Sequence, residues 1–244
     1  MAEPAELLSR LPGLGDAKLG ESLGRGPVSD SWRVAADDRS LVLRLDRPLA
    51  RKLGLDRTSE RTAQALAAAH GLAPAIRIAD PEAGVLVTDY LDPHDGPWGW
   101  EAHGRLLARV HALDVPGLPR FDLPAIAARY ARLDGSATAR ALQTAVTDRA
   151  RALYADTAWT LCHHDPHGEN QVGGRFIDWE YAALGDPLFD LAALVRHERL
   201  AEADQEALFR GWGRVPDAGR FHAFLSLYDD LAALWSLAVE AGSA

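Results

Sequence analysis

The chain of 244 residues changes its pattern of apolar side chains part-way along. Before residue 92, apolar residues alternate with polar ones in short runs, as at Leu41, Leu43 and Leu45, and this alternation predicts β-strands. After residue 100, apolar residues recur at helical spacing in segments rich in Ala, Leu and Arg. Residues 92–100, rich in Pro, Gly and Trp, form the predicted linker. We therefore expect an α+β fold with a strand-rich lobe over residues 1–91 and a helical lobe over residues 101–244.

Both lobes can be divided into elements. In the first lobe we predict a short helix over residues 4–10, three strands before residue 47, a helix from Arg57 to His70, and two strands around residues 75–79 and 84–90. In the second lobe, two short apolar runs at residues 158–163 and 175–179 interrupt six helical segments, and we expect these runs to pair as a hairpin. Lobes joined by a short linker commonly bind ligand between them.

Composition narrows the classes of function. The chain has 26 Lys and Arg residues against 35 Asp and Glu, a net charge of −9, which argues against non-specific nucleic-acid binding. Most of this negative charge follows residue 90, so we expect the second lobe to bind a cationic ligand or one that arrives with a metal ion. The single cysteine, Cys162, excludes an intramolecular disulfide and a cysteine-rich zinc site. Neither a signal peptide nor a membrane span is evident, so we expect a cytoplasmic protein with no membrane partner.

Residues 161–192 concentrate the side chains that can do chemistry. Between residues 165 and 190 there is one Arg and there are six acids: Asp165, Glu169, Asp178, Glu180, Asp186 and Asp190. Carboxylates this close repel one another unless a cation neutralises some of them, and oxygen ligands suit Mg²⁺ or Mn²⁺ better than zinc. The histidines at 163, 164 and 167 raise zinc as an alternative, but the sequence offers no distant partner for them. We expect His163 to hold the loop by hydrogen bonds and Asp190 to brace it from a helix start.

Three side chains in this stretch have the spacing of a phosphoryl-transfer site. Asp165 follows the first apolar run, Asn170 lies five residues later, and Asp178 ends the second run. If the runs pair, these residues converge, so that Asn170 and Asp178 hold a metal ion while Asp165 faces a hydroxyl group. An acceptor for the hydroxyl proton and two metal ligands are the parts that kinase-type phosphoryl transfer needs.

The motifs together resemble a known superfamily. H-x-D-x-x-x-x-N from His163 to Asn170, I-D-W-E-Y-A over residues 177–182 and G-D-P-x-x-D-L-A over residues 185–192 are similar to those of the aminoglycoside phosphotransferase and choline kinase superfamily. The second motif looks most like that of the choline, ethanolamine and thiamine kinases. The resemblance spans roughly residues 15–240 and implies a protein-kinase-like two-lobe fold, with a small antiparallel sheet in the N-lobe and a larger helical C-lobe. It also implies ATP and Mg²⁺ as cofactors.

The glycine-rich turn after the first strand is a candidate phosphate-binding loop. The chain has no G-x-x-x-x-G-K-[ST] motif, which excludes a P-loop. Gly24, Gly26 and Ser29 lie between the first two strands, where the superfamily folds a loop over the phosphates. A plain hairpin turn is the alternative interpretation of the same residues.

The resemblance also assigns nucleotide contacts to the third strand and to the end of the fifth. Kinases of this type place a cation on the third strand and pair it with a helix carboxylate. Here Arg44 takes the place of the usual lysine, and its expected partner is Glu60. The alternative is an exposed ion pair without a role in binding. The hinge that would bind adenine through its backbone corresponds to Asp89, Tyr90 and Leu91.

The acceptor site is expected on the helical lobe opposite Asp165. The candidate residues are Glu180, Tyr181, Tyr228, Asp230 and Trp235. Aromatic faces beside carboxylates attract quaternary or protonated amines. Choline kinases carry a pair of tryptophans in a corresponding helix, whereas here only Trp235 matches and Ala232 replaces the other. Trp235 is therefore either a core residue or a substrate contact, and Trp98 and Trp100 of the linker are further candidates.

The sequence thus predicts an ATP- and Mg²⁺-dependent phosphotransferase that acts on a hydroxyl of a small cationic alcohol such as choline, ethanolamine or thiamine. An amino-sugar or aminoglycoside kinase is the first alternative. A catalytically silent nucleotide-binding pseudokinase and a metal-dependent hydrolase are the others. The expected partner is a small-molecule acceptor, with no nucleic acid.

Overall fold

The computed structural model describes residues 3–93 and 99–243. Its first part contains α1 (Pro4–Arg10), β1 (Lys18–Arg25), β2 (Ser29–Ala36), β3 (Arg39–Asp46), α2 (Pro48–Leu53), α3 (Arg57–Ala69), β4 (Ile76–Asp80) and β5 (Val85–Asp89). The strands form one antiparallel sheet in the order β1-β2-β3-β5-β4. The five predicted strands and both predicted helices of this part are confirmed.

Side-chain alternation along β3 separates the core of the sheet from the functional face. Leu41 and Leu43 are buried in a core that α1 covers through Leu8. Arg44 follows Leu43 and therefore points to the other face of the sheet. The sequence analysis missed α2, because six residues are too few to show a helical period. Both α2 and α3 pack into the larger core of the helical part rather than into the core of the sheet.

The second part is mainly helical. It contains α4 (Trp100–His111), α5 (Leu123–Asp134), α6 (Ala137–Leu153), α7 (Pro187–His197), α8 (Glu202–Trp212) and α9 (Ala218–Ser243). Helices α4 and α8 approach closely at Gly104 and Gly211. A Cβ atom at Gly104 would lie 2.1 Å from the carbonyl oxygen of Leu208, and one at Gly211 would lie 2.0 Å from that of Glu101. Glycine is thus required at both positions for this helix pair to pack.

The segment between α6 and α7 forms two small sheets instead of the predicted hairpin. It contains β6 (Thr160–Cys162), β7 (Gln171–Val172), β8 (Arg175–Phe176) and β9 (Ala183–Gly185). Strand β6 pairs with β9, and β7 pairs with β8, so the predicted pairing of residues 158–163 with 175–179 is wrong. Gly173 and Gly174, with φ values of 55° and 68°, form the tight turn that closes the β7–β8 hairpin locally.

Part of the predicted linker cannot be compared with the structure. Residues 94–98, which include Trp98, lie outside the described residues, so the division at residues 92–100 stays a prediction. Among the helices within residues 3–93 and 99–243, none has both the length and the apolar character needed to cross a bilayer.

Candidate active site

The loop that follows β6 is braced by a buried carboxylate of α7. Asp190 Oδ2 accepts a hydrogen bond from the backbone N–H of His163 (2.9 Å), and Oδ1 accepts one from that of His164 (2.7 Å). Burial acts to raise the pKa of Asp190, but the hydrogen bonds from His111 and the backbone lower it below the usual value. Asp190 therefore stays ionised and fixes the start of the loop, as the sequence predicted.

Two non-glycine residues of this region have left-handed backbones. His164 has a φ of 65° and Asp178 a φ of 58°. Such conformations cost roughly 1–3 kcal/mol each and persist where surrounding contacts hold them. His163 supplies one such contact, since its Nε2 donates to the carbonyl oxygen of Ile177, 2.9 Å away. It thereby ties the loop to the residue before Asp178.

Asp165 and Asn170 are in direct contact. Asn170 Nδ2 donates to the backbone oxygen of Asp165 (2.9 Å) and lies 3.3 Å from its Oδ2. His167 stands beside them, with Nε2 3.5 Å from Asp165 Oδ2. Since the amide nitrogen of Asn170 makes these bonds, the Oδ1 atom of the same side chain is the one that can bind a cation. The side chain of Asp165 is about one third exposed, with 32% of its surface accessible.

Asp178 faces Arg44 across the cleft between the sheet and the helical part. Arg44 donates to both oxygens of Glu60, at 2.5 and 2.7 Å, and Nη1 donates to Asp178 Oδ1 at 3.1 Å. Burial acts to lower the pKa of Arg44, but Glu60 and Asp178 raise it above its usual value. The alternative of an exposed Arg44–Glu60 pair is wrong, because the side chain of Glu60 is only 3% accessible.

The sequence analysis missed Arg57, which joins this pair to two further carboxylates. Its guanidinium donates to both oxygens of Asp46 (2.8 Å each), to Glu60 (3.0 Å) and to Glu180 (3.0 Å). One sequence signal was available, since a cation in the first turn of a helix opposes the helix dipole and needs another reason to be there. Here the reason is a buried ion-pair network.

Glu180, predicted as a substrate contact, belongs to this network, and the structure does not place it with the other predicted acceptor residues. The side chain is 6% accessible and points to Arg57, on the opposite side from its neighbour Tyr181. Burial, followed by the charge of Asp178, raises the pKa of Glu180, and the guanidinium of Arg57 opposes this effect.

Asn170 and Asp178 fit a divalent cation. The backbone N–H of Ile177 donates to the carbonyl oxygen of Asn170 (2.9 Å), which places Asp178 beside the loop of residues 163–170, the predicted catalytic loop. Burial raises the pKa of Asp178, and the carboxylates of Glu60 and Asp165 add to the effect despite Arg44. A cation among these oxygens would offset the excess negative charge, and an amide oxygen with a carboxylate suits Mg²⁺.

The glycine turn is a hairpin whose base is anchored. The N–H of Gly26 donates to the carbonyl of Ser29 (2.9 Å), and Gly24 pairs with Ser31. A Cβ at Gly24 would meet no atom within 4 Å, so nothing in the fold itself demands glycine there. Val28, which follows the turn, is buried in the larger core and therefore packs the turn against the helical part.

The structure reduces the number of free backbone N–H donors in the predicted hinge. The N–H of Asp89 donates to the carbonyl of Ala75 and that of Tyr90 donates to Ser40, both at 3.0 Å. These two donors are therefore engaged within the protein, and the N–H of Leu91 is the remaining candidate to bind adenine. The side chains are also occupied, since Arg77 pairs with Asp89 and the Arg33 guanidinium lies 4.4 Å from the ring of Tyr90.

Asp165 opens onto a cavity of about 350 Å³, called here the acceptor cavity. Tyr181, Tyr228 and Trp235, three of the predicted acceptor residues, line it, and Trp235 Nε1 donates to Tyr181 Oη at 2.9 Å. The remaining wall residues are Phe121, Ile126, Tyr130, His164, His167, Phe189, His197, Leu231, Ala232 and Ser236. Asp165 supplies the only carboxylate among the described residues of this wall.

Two predicted acceptor contacts lie elsewhere. Asp230 receives a hydrogen bond from Arg149 Nε at 2.8 Å, and the structure does not place it in the cavity wall. Asp230 lies two residues after Tyr228 on α9 and therefore does not share its face of the helix. Trp100 packs near His103 at the start of α4 and does not line the cavity either.

Comparisons with known proteins agree with this geometry. Residues 21–224 match the sequence model of a family described as the phosphotransferase enzyme family. No curated protein sequence matches the chain. Among solved structures, a choline/ethanolamine kinase family protein from Mesorhizobium loti is similar, with 26% identity, a TM-score of 0.74, and coverage of 96% of this chain and 84% of the other.

Two further structures share the fold. The choline kinase LicA from Streptococcus pneumoniae has 20% identity and a TM-score of 0.74, with coverage of 91% of this chain and 85% of the other. LicA has also been solved in complex with AMP. An aminoglycoside-3'-phosphotransferase of type VIII has 18% identity and a TM-score of 0.68, with coverage of 93% and 96%. Because the family match spans most of the chain, this protein belongs to the phosphotransferase enzyme family and is a small-molecule kinase with the protein-kinase-like fold.

Proposed function

We propose that this kinase transfers the terminal phosphoryl group of ATP, bound with Mg²⁺, to a hydroxyl of a small cationic alcohol of the choline, ethanolamine or thiamine kind. The observation that carries the proposal is the position of Asp165, which touches Asn170 on one side and opens onto an aromatic cavity on the other. Each aromatic face attracts a cation by about 0.5–2 kcal/mol. The carboxylate of Asp165 adds a negative charge where the hydroxyl must lie.

Each residue has a role that follows from its contacts. Asp165 accepts the hydrogen bond of the acceptor hydroxyl, orients it, and receives its proton as transfer proceeds. Asn170 and Asp178 would hold Mg²⁺, which when bound neutralises charge on the phosphates. Arg44, kept charged by Glu60, faces the same cleft and binds phosphate oxygens. The AMP complex of LicA supports an adenine nucleotide as the donor.

The size and charge of the acceptor cavity favour a small substrate. Its volume of about 350 Å³ is near the lower end of the usual range for ligand sites. An aminoglycoside carries several ammonium groups, whereas the described wall has one carboxylate. The cavity thus fits a small cationic alcohol better than an aminoglycoside, and an amino sugar or aminoglycoside is the alternative substrate class.

The test is a panel of acceptors. Choline, ethanolamine, thiamine and an aminoglycoside are each incubated with ATP and Mg²⁺, ADP release is measured, and products are identified by mass. We expect phosphorylation of a small cationic alcohol. Phosphorylation of the aminoglycoside alone would replace the proposal with its alternative.

The role of Asp165 is tested in the same assay. Asp165→Asn removes the proton acceptor but keeps the shape of the side chain, so kcat should fall by about 10²–10⁴-fold while ATP binding, measured by calorimetry, persists. Asp156→Asn, an exposed acid before β6, is the matched control. Undiminished turnover in Asp165→Asn would contradict its assignment.

A further inference from the structure

A second cluster of potential metal ligands lies beside the acceptor cavity. It consists of His167 of the catalytic loop with His197 and Glu198 at the end of α7, and is called here the His–His–Glu cluster. One ligand atom from each residue lies within 4.8 Å of the others. The sequence analysis set zinc aside because the loop histidines had no distant partner. The fold supplies two such partners, from residues that follow the loop by a whole helix.

The geometry leaves ligand atoms available in this cluster. The rings of His167 and His197 stack with centroids 4.2 Å apart and an interplanar angle of 9°. Within the described part of the chain, Nδ1 of His167 is buried and has no hydrogen-bond partner. Glu198 Oε1 accepts from the N–H of Gly168 at 2.7 Å, which holds the carboxylate against the loop. His197 is exposed, so its ring can turn out of the stack and direct a nitrogen lone pair to a shared ion.

The donor set distinguishes this cluster from the Mg²⁺ site. Two imidazoles and one carboxylate are a combination that zinc uses when it keeps a fourth position open. Mg²⁺ prefers oxygen ligands only, as Asn170 and Asp178 provide. We propose that His167, His197 and Glu198 bind Zn²⁺ or a similar transition-metal cation, separately from Mg²⁺, and that this binding inhibits the kinase.

Inhibition follows from where His167 stands. Its Nε2 is 3.5 Å from Asp165 Oδ2 and 3.1 Å from Asn170 Nδ2. A dication held by His167 would lie close enough to the Asp165 carboxylate to attract it away from the acceptor hydroxyl. Both histidines also line the acceptor cavity, so an ion held there takes up space that the substrate needs. Its open coordination position also competes with Asp165 for the hydroxyl group of the substrate.

The binding test uses Zn²⁺ alone and the whole chain, without Mg²⁺, nucleotide or acceptor. Calorimetry should give a site in the wild type whose affinity is lowered at least about tenfold in His197→Ala, since loss of even a supporting residue costs 10–100-fold. His222→Ala, an exposed histidine on α9, is the matched control and should bind as the wild type does. Asp178→Asn should also retain the site. Unchanged affinity in His197→Ala, or loss in Asp178→Asn alone, would overturn the proposal.

Inhibition is tested by titrating Zn²⁺ into the phosphotransfer assay at saturating Mg²⁺. Each variant is compared with its own zinc-free rate, so changes in basal activity cancel. His197→Ala should need at least about tenfold more Zn²⁺ for half-inhibition than the wild type or His222→Ala. Binding without inhibition would refute the inhibitory role. Because the binding test needs no substrate, its outcome is independent of the acceptor proposed above.

Discussion

Asp190, which lies on α7, fixes the start of the catalytic loop through hydrogen bonds. Besides the two backbone amides, it accepts a hydrogen bond from His111 Nε2 at 3.0 Å. Trp212 Nε1, which can only donate, occupies His111 Nδ1 at 3.0 Å. The proton of neutral His111 is therefore on Nε2, directed at Asp190. All the polar contacts of this buried carboxylate depend on its negative charge.

Replacing that charge should destabilise the protein in a pH-dependent way. Asp190→Asn cannot accept from both backbone amides, so the free energy of unfolding at pH 7 should fall by about 2–3 kcal/mol. The folded pKa of Asp190 lies below its usual value. Its contribution is thus complete above the unfolded pKa of about 3.9 and is lost as pH falls through the folded pKa. Urea unfolding of both proteins should show their difference shrinking towards pH 3.

The control for this prediction is Asp156→Asn, which replaces an exposed acid and should match the wild type at each pH. An equal loss of stability for Asp190→Asn at pH 7 and pH 3 would mean that the charge of Asp190 does not support the loop.

Two adjacent residues show which features of single side chains cannot be predicted from the sequence. Glu180 and Tyr181 are adjacent, and both were assigned to the acceptor because they follow Asp178. Tyr181 lines the cavity, whereas Glu180 turns to Arg57, which lies 123 residues earlier in the chain. Residue type and spacing identified the chemistry of Asp165 and Asn170, because those two are five residues apart. The direction of Glu180 depends on a long-range partner that no local pattern shows.

At the scale of elements, Arg57 determines how α3 is held. The helix begins at Arg57, and the guanidinium links its first turn to Asp46 at the end of β3 and to Glu180 of the helical part. Glu60, one turn along, is in turn fixed on Arg44. We regard Arg57 as a positioning residue, since it reaches the proposed nucleotide site through Glu60 and Arg44.

Arg57→Lys tests this role because it keeps the charge but cannot form the four hydrogen bonds. We expect KM for ATP to rise by about 10-fold or more, as loss of one charged hydrogen bond costs about 1.5–3 kcal/mol, with a smaller change in KM for the acceptor. Arg61→Lys, exposed on the same helix, is the control. Assays are made well below the unfolding temperature. Equal changes in both KM values would indicate general destabilisation instead of positioning.

Elements were predictable where their signal is local. The alternation in β3 and the helical spacing of α3 to α9 reflect burial of one face and can be detected within a single segment. The pairing of β6 with β9 was not predictable in this way, since the strands are separated by two loops and a hairpin. The Gly173–Gly174 pair is a local signal for the β7–β8 hairpin. This hairpin uses residues 175–176, so they are not available to pair with residues 158–163.

For the whole molecule, the functional groups are divided between the two parts. Arg44 and Glu60 belong to the sheet and α3, whereas Asp165, Asn170 and Asp178 belong to the helical part. The ion pairs of Arg44 with Asp178 and of Arg57 with Glu180 join the two parts beside the cleft. A nucleotide held with a cation between them would add contacts to both parts, and the folded state would become more stable as a result.

This stabilisation provides the last prediction. At 100 times its Kd, ATP with Mg²⁺ stabilises the folded protein by about 2.7 kcal/mol, which for a chain of this size raises Tm by roughly 5–10 °C. Replacing Mg²⁺ with a chelator should abolish most of the increase, because the excess negative charge around Asp178 then repels the phosphates. Asp178→Asn should likewise lose the Mg²⁺-dependent part of the increase, whereas Asp156→Asn should keep it. Thermal unfolding with and without each ligand measures the effect, and an Mg²⁺-dependent increase that persists in Asp178→Asn would exclude that residue as the metal ligand.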